Sequence, residues 1–313
     1  MNLDRRALDE KAKEMGFVRD TLEKVFRLME ILAFINLDSI LSKNLTLKGG
    51  TAINLTVFNL PRLSVDIDLD LAINYDLEEM LKVRATITEI ISRYMTANRY
   101  TLNPHSKSRH SLDSWVYSYI NAGGNADNIK IEINYSLRSH IFDSVLRPIV
   151  TSVTETELMV NTLVPSELFA AKLNALMNRA AVRDLYDIDN MIRFGLFNES
   201  EYEELRKNTV FYAAISAKTI NKDINTDAID DITFAKVKRD LFPVIAKKNN
   251  FDLGQRKESA KLFIRELMVL TDNEKEFLDR FEKKEFRPEL VFEDEKIIAR
   301  LENHPMAIWK MGQ

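Results

Sequence analysis

Apolar residues recur at three- and four-residue steps in several stretches of this chain, which is the spacing of one helix face. Residues 4–15 and 18–37 show it first, and Gly16 separates the two stretches. Further helices are predicted at 76–97, 165–179, 182–194, 259–271 and 273–283. The later part of the chain is therefore predicted to be helical.

Strict alternation of apolar and polar residues predicts strands. Residues 65–72 place aliphatic side chains on one face and three aspartates on the other, and 129–135 alternate similarly. Residues 44–48 predict a short strand before a turn at Gly49-Gly50 and a helix that starts at Thr51. Two more strands are predicted, at 99–103 and 114–121. The turn Gly123-Gly124-Asn125 would join 114–121 to 129–135 as a hairpin. The pattern indicates an α+β fold, with a mixed α/β half at 1–160, which starts with helices, and a helical half at 161–313.

Composition narrows the function classes. The 313-residue chain is 45% hydrophobic, carries a formal net charge of -4 and has no cysteine. Disulfides, thiolate metal sites and cysteine nucleophiles are therefore excluded. Nucleic-acid binding would need a local basic patch, because the chain is not a polycation. No apolar run is long enough for a signal peptide or a membrane span, so we expect a cytoplasmic protein without membrane partners.

The turn at Gly49, Gly50 and Thr51 is the first candidate for chemistry. Glycines let backbone N–H groups approach phosphate oxygens closely. The same residues would also suit a tight strand-to-helix turn with no ligand. No GxxxxGK[ST] pattern is present, so this is not a Walker A loop.

The alternating aspartates are the second candidate. Asp66 and Asp68 lie two residues apart on one strand face, about 7 Å along the backbone. Carboxylates placed in this way can hold one or two Mg²⁺ ions against a triphosphate. An exposed polar strand face is the alternative, although adjacent aspartates repel one another unless cations neutralise them. We assign Asp70 to that alternative, as a rim charge.

Three further residues are candidates of lower specificity. Glu132 lies on the polar face of its strand and would serve as a third carboxylate, or as a solvated residue beside Lys130. Ser64 shares the aspartate face and would contact phosphate or a metal-bound water. Arg62 would contact phosphate or remain a surface charge.

A set of charged residues in the helical half follows steps of seven, four and four: Lys172, Arg179, Arg183 and Asp187. On one continuous helix they would share a face, and a cationic stripe would neutralise a triphosphate. A break near residue 180 would disrupt that alignment. From spacing alone, a solvated face with an Arg183–Asp187 pair is favoured.

Two segments resemble motifs of the AbiEii/AbiGii toxin family, nucleotidyltransferases with a DNA-polymerase-β-like core. LKGGTAINLTVFNLPRLSVDIDLDL resembles the first motif, a GG[ST] turn and a short helix before R-x-S-x-D-I-D. ELFAAKLNALMNRAAVRDLYDIDNM resembles the later one, a helix with a lysine followed by R-D-x-x-D. The match covers residues 45–72 and 165–192.

The resemblance implies an enzyme that transfers a nucleoside monophosphate from an NTP, with Mg²⁺ or Mn²⁺. It implies a toxin of a type IV toxin–antitoxin or phage-defence system that acts on RNA, such as the tRNA 3′ end, and a separately encoded antitoxin. A small-molecule or protein acceptor, or a non-catalytic nucleotide- or RNA-binding module, is the alternative. The NTP, the acceptor, the oligomeric state and the role of residues 200–313 stay open.

The resemblance also assigns residues. Asp66 and Asp68 would be the metal ligands, with Glu132 as a third. Lys172 would contact the triphosphate, and Asp184 or Asp187 would serve the later motif. A final set completes the expected nucleotide site: Gly49, Gly50, Thr51, Ser64 and Arg183.

Overall fold

The structure is a computed structural model that describes residues 4–149, 158–216 and 225–312. It divides into two compact units. The first contains the described parts of Met1–Arg138, Ser144–Leu163 and Pro243–Lys248. The second contains those of Ser139–Asp143, Val164–Phe242 and Asn249–Gln313. The chain therefore leaves the first unit and returns to it.

The first unit is built on a mixed sheet. Its strands are β1 (Leu45–Lys48), β2 (Asp66–Leu71), β3 (Thr101–Leu102), β4 (Lys107–Ser108), β5 (Leu112–Ile120), β6 (Ala126–Asn134), β7 (Val145–Pro148) and β8 (Met159–Thr162). Within the described residues their order is β3-β5-β6-β2-β1-β8-β7, with β4 paired to β5. β2 is central, antiparallel to β1 and parallel to β6.

Helices of the first unit are α1 (Arg5–Met15), α2 (Arg19–Leu37), α3 (Ser39–Asn44), α4 (Gly49–Ala52) and α5 (Leu77–Ala97). α4 continues directly into a π-helical turn, Ile53–Val57. α2 and α5 cover the apolar face of the sheet. Arg84 of α5 donates to Asp113 over 3.0 Å, and the Arg27 guanidinium of α2 lies 4.2 Å from the Tyr119 ring centroid. The aspartates of β2 therefore lie on the face opposite these helices.

The second unit is helical in its described residues. Its helices are α6 (Pro165–Asn178), α7 (Val182–Arg193), α8 (Tyr202–Ser216), α9 (Asp227–Asp230), α10 (Phe234–Lys236), α11 (Leu253–Leu267), α12 (Asp272–Glu282), α13 (Glu295–Glu302) and α14 (Pro305–Met311). A buried carboxylate, Glu167 of α6, organises its centre. It accepts from the Ile141 and Phe142 amides, at 2.9 and 3.3 Å, and from the Tyr212 hydroxyl. This carboxylate ties the short segment 139–143 to the second unit.

The predicted α+β class is confirmed, and the differences have local causes. The helix predicted to start at Thr51 begins at Gly49. α11 starts at Leu253 rather than 259, because Asp252 caps it by accepting from the Gln255 amide. β7 and β8 were not predicted. Each has four residues, too few for alternation to be recognised.

Candidate functional site

The turn after β1 packs its backbone against an aspartate. Gly49 has φ of 69°, and a Cβ added there would lie 2.6 Å from Asp68 Oδ2. A Cβ on Gly50 would lie 2.5 Å from Arg62 Nη2 and 3.2 Å from Ser64 Oγ. Both positions therefore need glycine in this arrangement, one for its left-handed backbone and both for space.

Thr51 fixes the same turn to β2 from within the protein. Its side chain is buried, and its hydroxyl donates to the Asp66 carbonyl oxygen. Thr51 Oγ1 also lies 2.9 Å from Ser64 Oγ. These contacts give Thr51 a positioning role, since its hydroxyl is committed to protein groups.

Arg62, left open between a phosphate contact and a surface charge, is not on the surface. Only 2% of it is exposed, and Nη1 donates to the Leu63 carbonyl oxygen over 3.1 Å. Its backbone pairs with Ile245, and the Leu63 amide donates to the Val244 carbonyl over 2.7 Å. The late segment 243–248 therefore supports the residues just before the aspartates, which no local pattern indicated.

The sheet register aligns the predicted carboxylates. Asp66 lies opposite Lys130 and Asp68 opposite Glu132 in the parallel β2–β6 pair, so these side chains share a face. Among the described residues, no group of three or more potential ligands forms a ready metal cage. Asp66 and Asp68 nevertheless supply hard oxygen donors on one strand, beside the space that Gly49 leaves. The donor set suits Mg²⁺ or Mn²⁺.

Glu132 is engaged by its own strand. Lys130 Nζ lies 2.7 Å from Glu132 Oε2. Burial lowers the pKa of Lys130, but its bond to Glu132 and the negative charges of Glu132, Asp66 and Asp68 outweigh this and raise it. The ammonium thus pairs with Glu132 and is further stabilised by the negative charges of Asp66 and Asp68.

Asp70 is not the rim charge that alternation suggested. It is 1% exposed and forms an ion pair with Lys48 of β1. Burial raises the pKa of Asp70 to about 6, against the opposing influence of Lys48. The third aspartate is therefore structural, and its partner on β1 was missed.

Three of the predicted charged residues of the second unit contact one another: Lys172, Asp184 and Asp187. The helix breaks between α6 and α7, as the alternative allowed, so the stripe of Lys172, Arg179, Arg183 and Asp187 is not one helix face. Lys172 Nζ nevertheless lies 2.8 Å from Asp184 Oδ1 and 3.3 Å from Asp187 Oδ2. Lys172 is therefore buried between two acids rather than solvated.

The surroundings of Asp184 favour its charged form. Arg179 Nε lies 2.8 Å from Asp184 Oδ2. Burial raises the pKa of Asp184, but Lys172 and Arg179 together outweigh it and hold the pKa below its usual value. Arg183 is apart from this cluster, because its Nε donates to the Asp240 carbonyl oxygen over 2.9 Å. Both members of the Arg183–Asp187 pair that spacing favoured therefore have other partners in the structure.

The family model described as "Nucleotidyl transferase AbiEii toxin, Type IV TA system" matches residues 31–287. The chain belongs to the AbiEii family. The predicted enzyme class, nucleotidyltransferase, is confirmed by this membership, as is the assignment to toxins of type IV toxin–antitoxin systems. No curated protein matches the sequence.

A solved structure shares this AbiEii chain's fold. MenT4, a nucleotidyltransferase toxin from Mycobacterium tuberculosis H37Rv, superposes with a TM-score of 0.68 at 15% identity. The alignment covers 98% of this chain and 99% of that one. Among the described residues, no helix is both long and apolar enough to cross a membrane.

Proposed function

We propose that this AbiEii protein transfers a nucleoside monophosphate from an NTP to an RNA acceptor such as the tRNA 3′ end, using Mg²⁺ or Mn²⁺. One observation carries the metal and nucleotide assignment. The Gly49 backbone lies directly against the Asp68 carboxylate, with Asp66 on the same strand face. The RNA acceptor rests on the family resemblance of the two motifs.

The reaction is a substitution at phosphorus. An acceptor hydroxyl oxygen attacks the α-phosphorus, the bond to the β-phosphate bridging oxygen breaks, pyrophosphate leaves, and the hydroxyl proton passes to water. A divalent ion, when bound, neutralises phosphate charge and lowers the pKa of a coordinated hydroxyl. Asp66 and Asp68 would hold that ion, and Gly49 and Gly50 allow phosphate oxygens to approach the backbone. Transfer of this kind depends mainly on positioning and electrostatics.

Two cationic residues of the second unit, Lys172 and Arg183, are proposed to contact phosphate. Lys172 is the stronger candidate, because a buried ammonium between Asp184 and Asp187 is held in a fixed position. Arg183 is the weaker one, since its Nε is used by a backbone carbonyl. Lys172→Met should therefore reduce transfer more than Arg183→Met.

A labelling experiment tests the proposal. Purified protein is incubated with total tRNA, Mg²⁺ and each α-labelled NTP in turn, and RNA is separated from protein on a denaturing gel. We expect label on RNA with the wild type, and none with Asp66→Asn or Asp68→Asn. Asp9→Asn, at an exposed ion pair with Arg19, is the matched control and should label normally. Full activity in both site variants would refute the metal assignment.

The same gel tests the alternative acceptor. Label on protein, or on a small molecule with none on RNA, would replace the RNA acceptor and leave the transferase chemistry intact. Membership of a nucleotidyltransferase family argues against the non-catalytic alternative.

The toxin role is tested in cells. Induced expression should arrest growth of a bacterial host, and Asp66→Asn should not. Co-expression of a neighbouring small open reading frame that restores growth would identify the antitoxin. Restored growth with unchanged transfer in vitro would mean that the antitoxin acts without blocking the active site. Challenge with phage, with and without the pair, tests the phage-defence role.

A further inference from the structure

The aspartate face of the sheet carries its own cations. Four acids lie on it, from β2 and β6: Asp66, Asp68, Asp70 and Glu132. Lys48 forms an ion pair with the buried Asp70. Lys130 forms one with Glu132, and it lies beside Asp66 in the register of the two strands. The repulsion that adjacent carboxylates would otherwise suffer is therefore relieved within the chain.

The two lysine pairs differ in accessibility. In the first pair the carboxylate is buried: 2% of the Asp70 side chain is exposed, against 24% of Lys48. In contrast, 37% of the Lys130 side chain and 26% of the Glu132 side chain are exposed. An exposed pair exchanges partners at little cost, since each such pair contributes about 1 kcal/mol or less. The Lys130–Glu132 pair is therefore able to open.

We propose that Lys130 is a built-in competitor of the divalent ion at Asp66, Asp68 and Glu132. Its ammonium neutralises these acids in the metal-free protein, keeps Glu132 from the metal, and lowers the affinity of the site. This inference rests on the proposed metal-dependent function. It resolves the role of Glu132, which becomes a metal ligand only when its pair with Lys130 opens.

This arrangement has a consequence for nucleotide loading. The metal site should bind free Mg²⁺ weakly, because Lys130 repels the ion and the protein supplies only a few of the oxygen ligands that Mg²⁺ needs. The phosphates of an NTP supply the missing ligands and add negative charge that offsets Lys130. The ion should therefore bind mainly together with the nucleotide, so that a metal-free and nucleotide-free protein is the resting state.

Binding of Mn²⁺ without nucleotide, followed by the EPR signal of the free ion, tests the proposal directly. Lys130→Met should bind Mn²⁺ about tenfold tighter than the wild type, since a cation a few ångströms from a divalent ion repels it strongly. Lys130→Gln should shift in the same direction, and Lys130→Arg, which keeps the charge, should resemble the wild type. Lys82→Met is the control, as Lys82 forms an exposed pair with Glu78 on α5. Unchanged or weaker Mn²⁺ binding in both neutral variants would overturn the proposal.

Thermal melts give a second readout. Without metal, Lys130→Met should melt below the wild type, and Mn²⁺ should raise its Tm more than that of the wild type. Asp66→Asn separates this proposal from the proposed function. If it binds Mn²⁺ as well as the wild type, the metal assignment itself fails. If it loses Mn²⁺ binding while Lys130→Met binds as the wild type does, only the role of Lys130 fails.

Discussion

Gly49 packs so closely against Asp68 that a Cβ atom added to Gly49 would lie only 2.6 Å from Asp68 Oδ2. The left-handed backbone of Gly49 directs the chain from β1 towards the carboxylate that we assign to the metal. The turn and the strand are therefore in direct contact, although Asp68 comes nineteen positions after Gly49 along the chain.

Gly49→Ala should abolish transfer, because the new Cβ must displace the Asp68 carboxylate. Gly124 provides a matched control. It also has positive φ, 84°, but a Cβ there would meet nothing within 4 Å. Both substitutions should cost about 1–2 kcal/mol of stability through backbone strain. Urea unfolding should show similar destabilisation in both variants. The tRNA-labelling assay should show loss of activity only in Gly49→Ala. Equal activity in the two variants would contradict the contact.

Thr51→Val should destabilise the first unit by about 1–2 kcal/mol, because it leaves the part-buried Asp66 carbonyl oxygen without its hydroxyl donor. Transfer should fall further than stability alone explains, since Asp66 is displaced. Thr51→Ser keeps the hydroxyl and should retain activity. Urea unfolding, with labelling under conditions where each variant is folded, distinguishes the two. A fully active valine variant would show that Thr51 does not position Asp66.

The contribution of Asp70 to the free energy of unfolding should decrease as the pH rises. Its folded pKa, about 6, is above its ordinary value, so the folded state binds the proton more tightly than the unfolded state does. The stability advantage of the wild type over Asp70→Asn should therefore fall as the pH rises from 4 to 7. The expected change is about 2–3 kcal/mol, from the size of the shift. Urea unfolding at several pH values measures it, and a pH-independent difference would refute the assignment.

The contribution of Asp184 to the free energy of unfolding should increase as the pH rises, the opposite of that of Asp70. Its folded pKa is depressed, so its contribution is complete above the unfolded value, about pH 4, and is lost as the pH falls through the folded pKa. Asp184→Asn removes a buried partner of Lys172 and should cost about 3 kcal/mol at pH 6. The difference from the wild type should shrink below pH 4. Asp231→Asn, an exposed acid in the same unit, should show little effect at any pH.

Local periodicity predicted much of this fold correctly. The strand at Asp66–Leu71 and the hairpin of β5 and β6 follow from alternation, and α1, α2 and α5 follow from helical spacing. β7 and β8 escaped prediction because strands so short carry little periodic signal. The two glycines and the Asp66–Asp68 pair were also proposed as site residues from the sequence, because each set lies within three residues of the chain.

Periodicity does not distinguish the buried aspartate of β2 from the other two. Asp66, Asp68 and Asp70 have the same spacing and the same face, yet only Asp70 is buried against Lys48. Its neighbour comes from β1, and that pairing depends on the register of an antiparallel sheet. The same holds for Lys130, whose position beside Asp66 depends on β6 lying parallel to β2.

The sequence by itself determined the fold class and the family, and it supplied the proposed phosphate and metal residues, because these depend on residue type and short-range spacing. The tertiary structure alone decided which charges are paired. Lys172 meets Asp184 and Asp187 across a helix break, and Arg62 is covered by segment 243–248. Such contacts join residues far apart in the chain, and their partners follow from how the elements pack rather than from any local pattern.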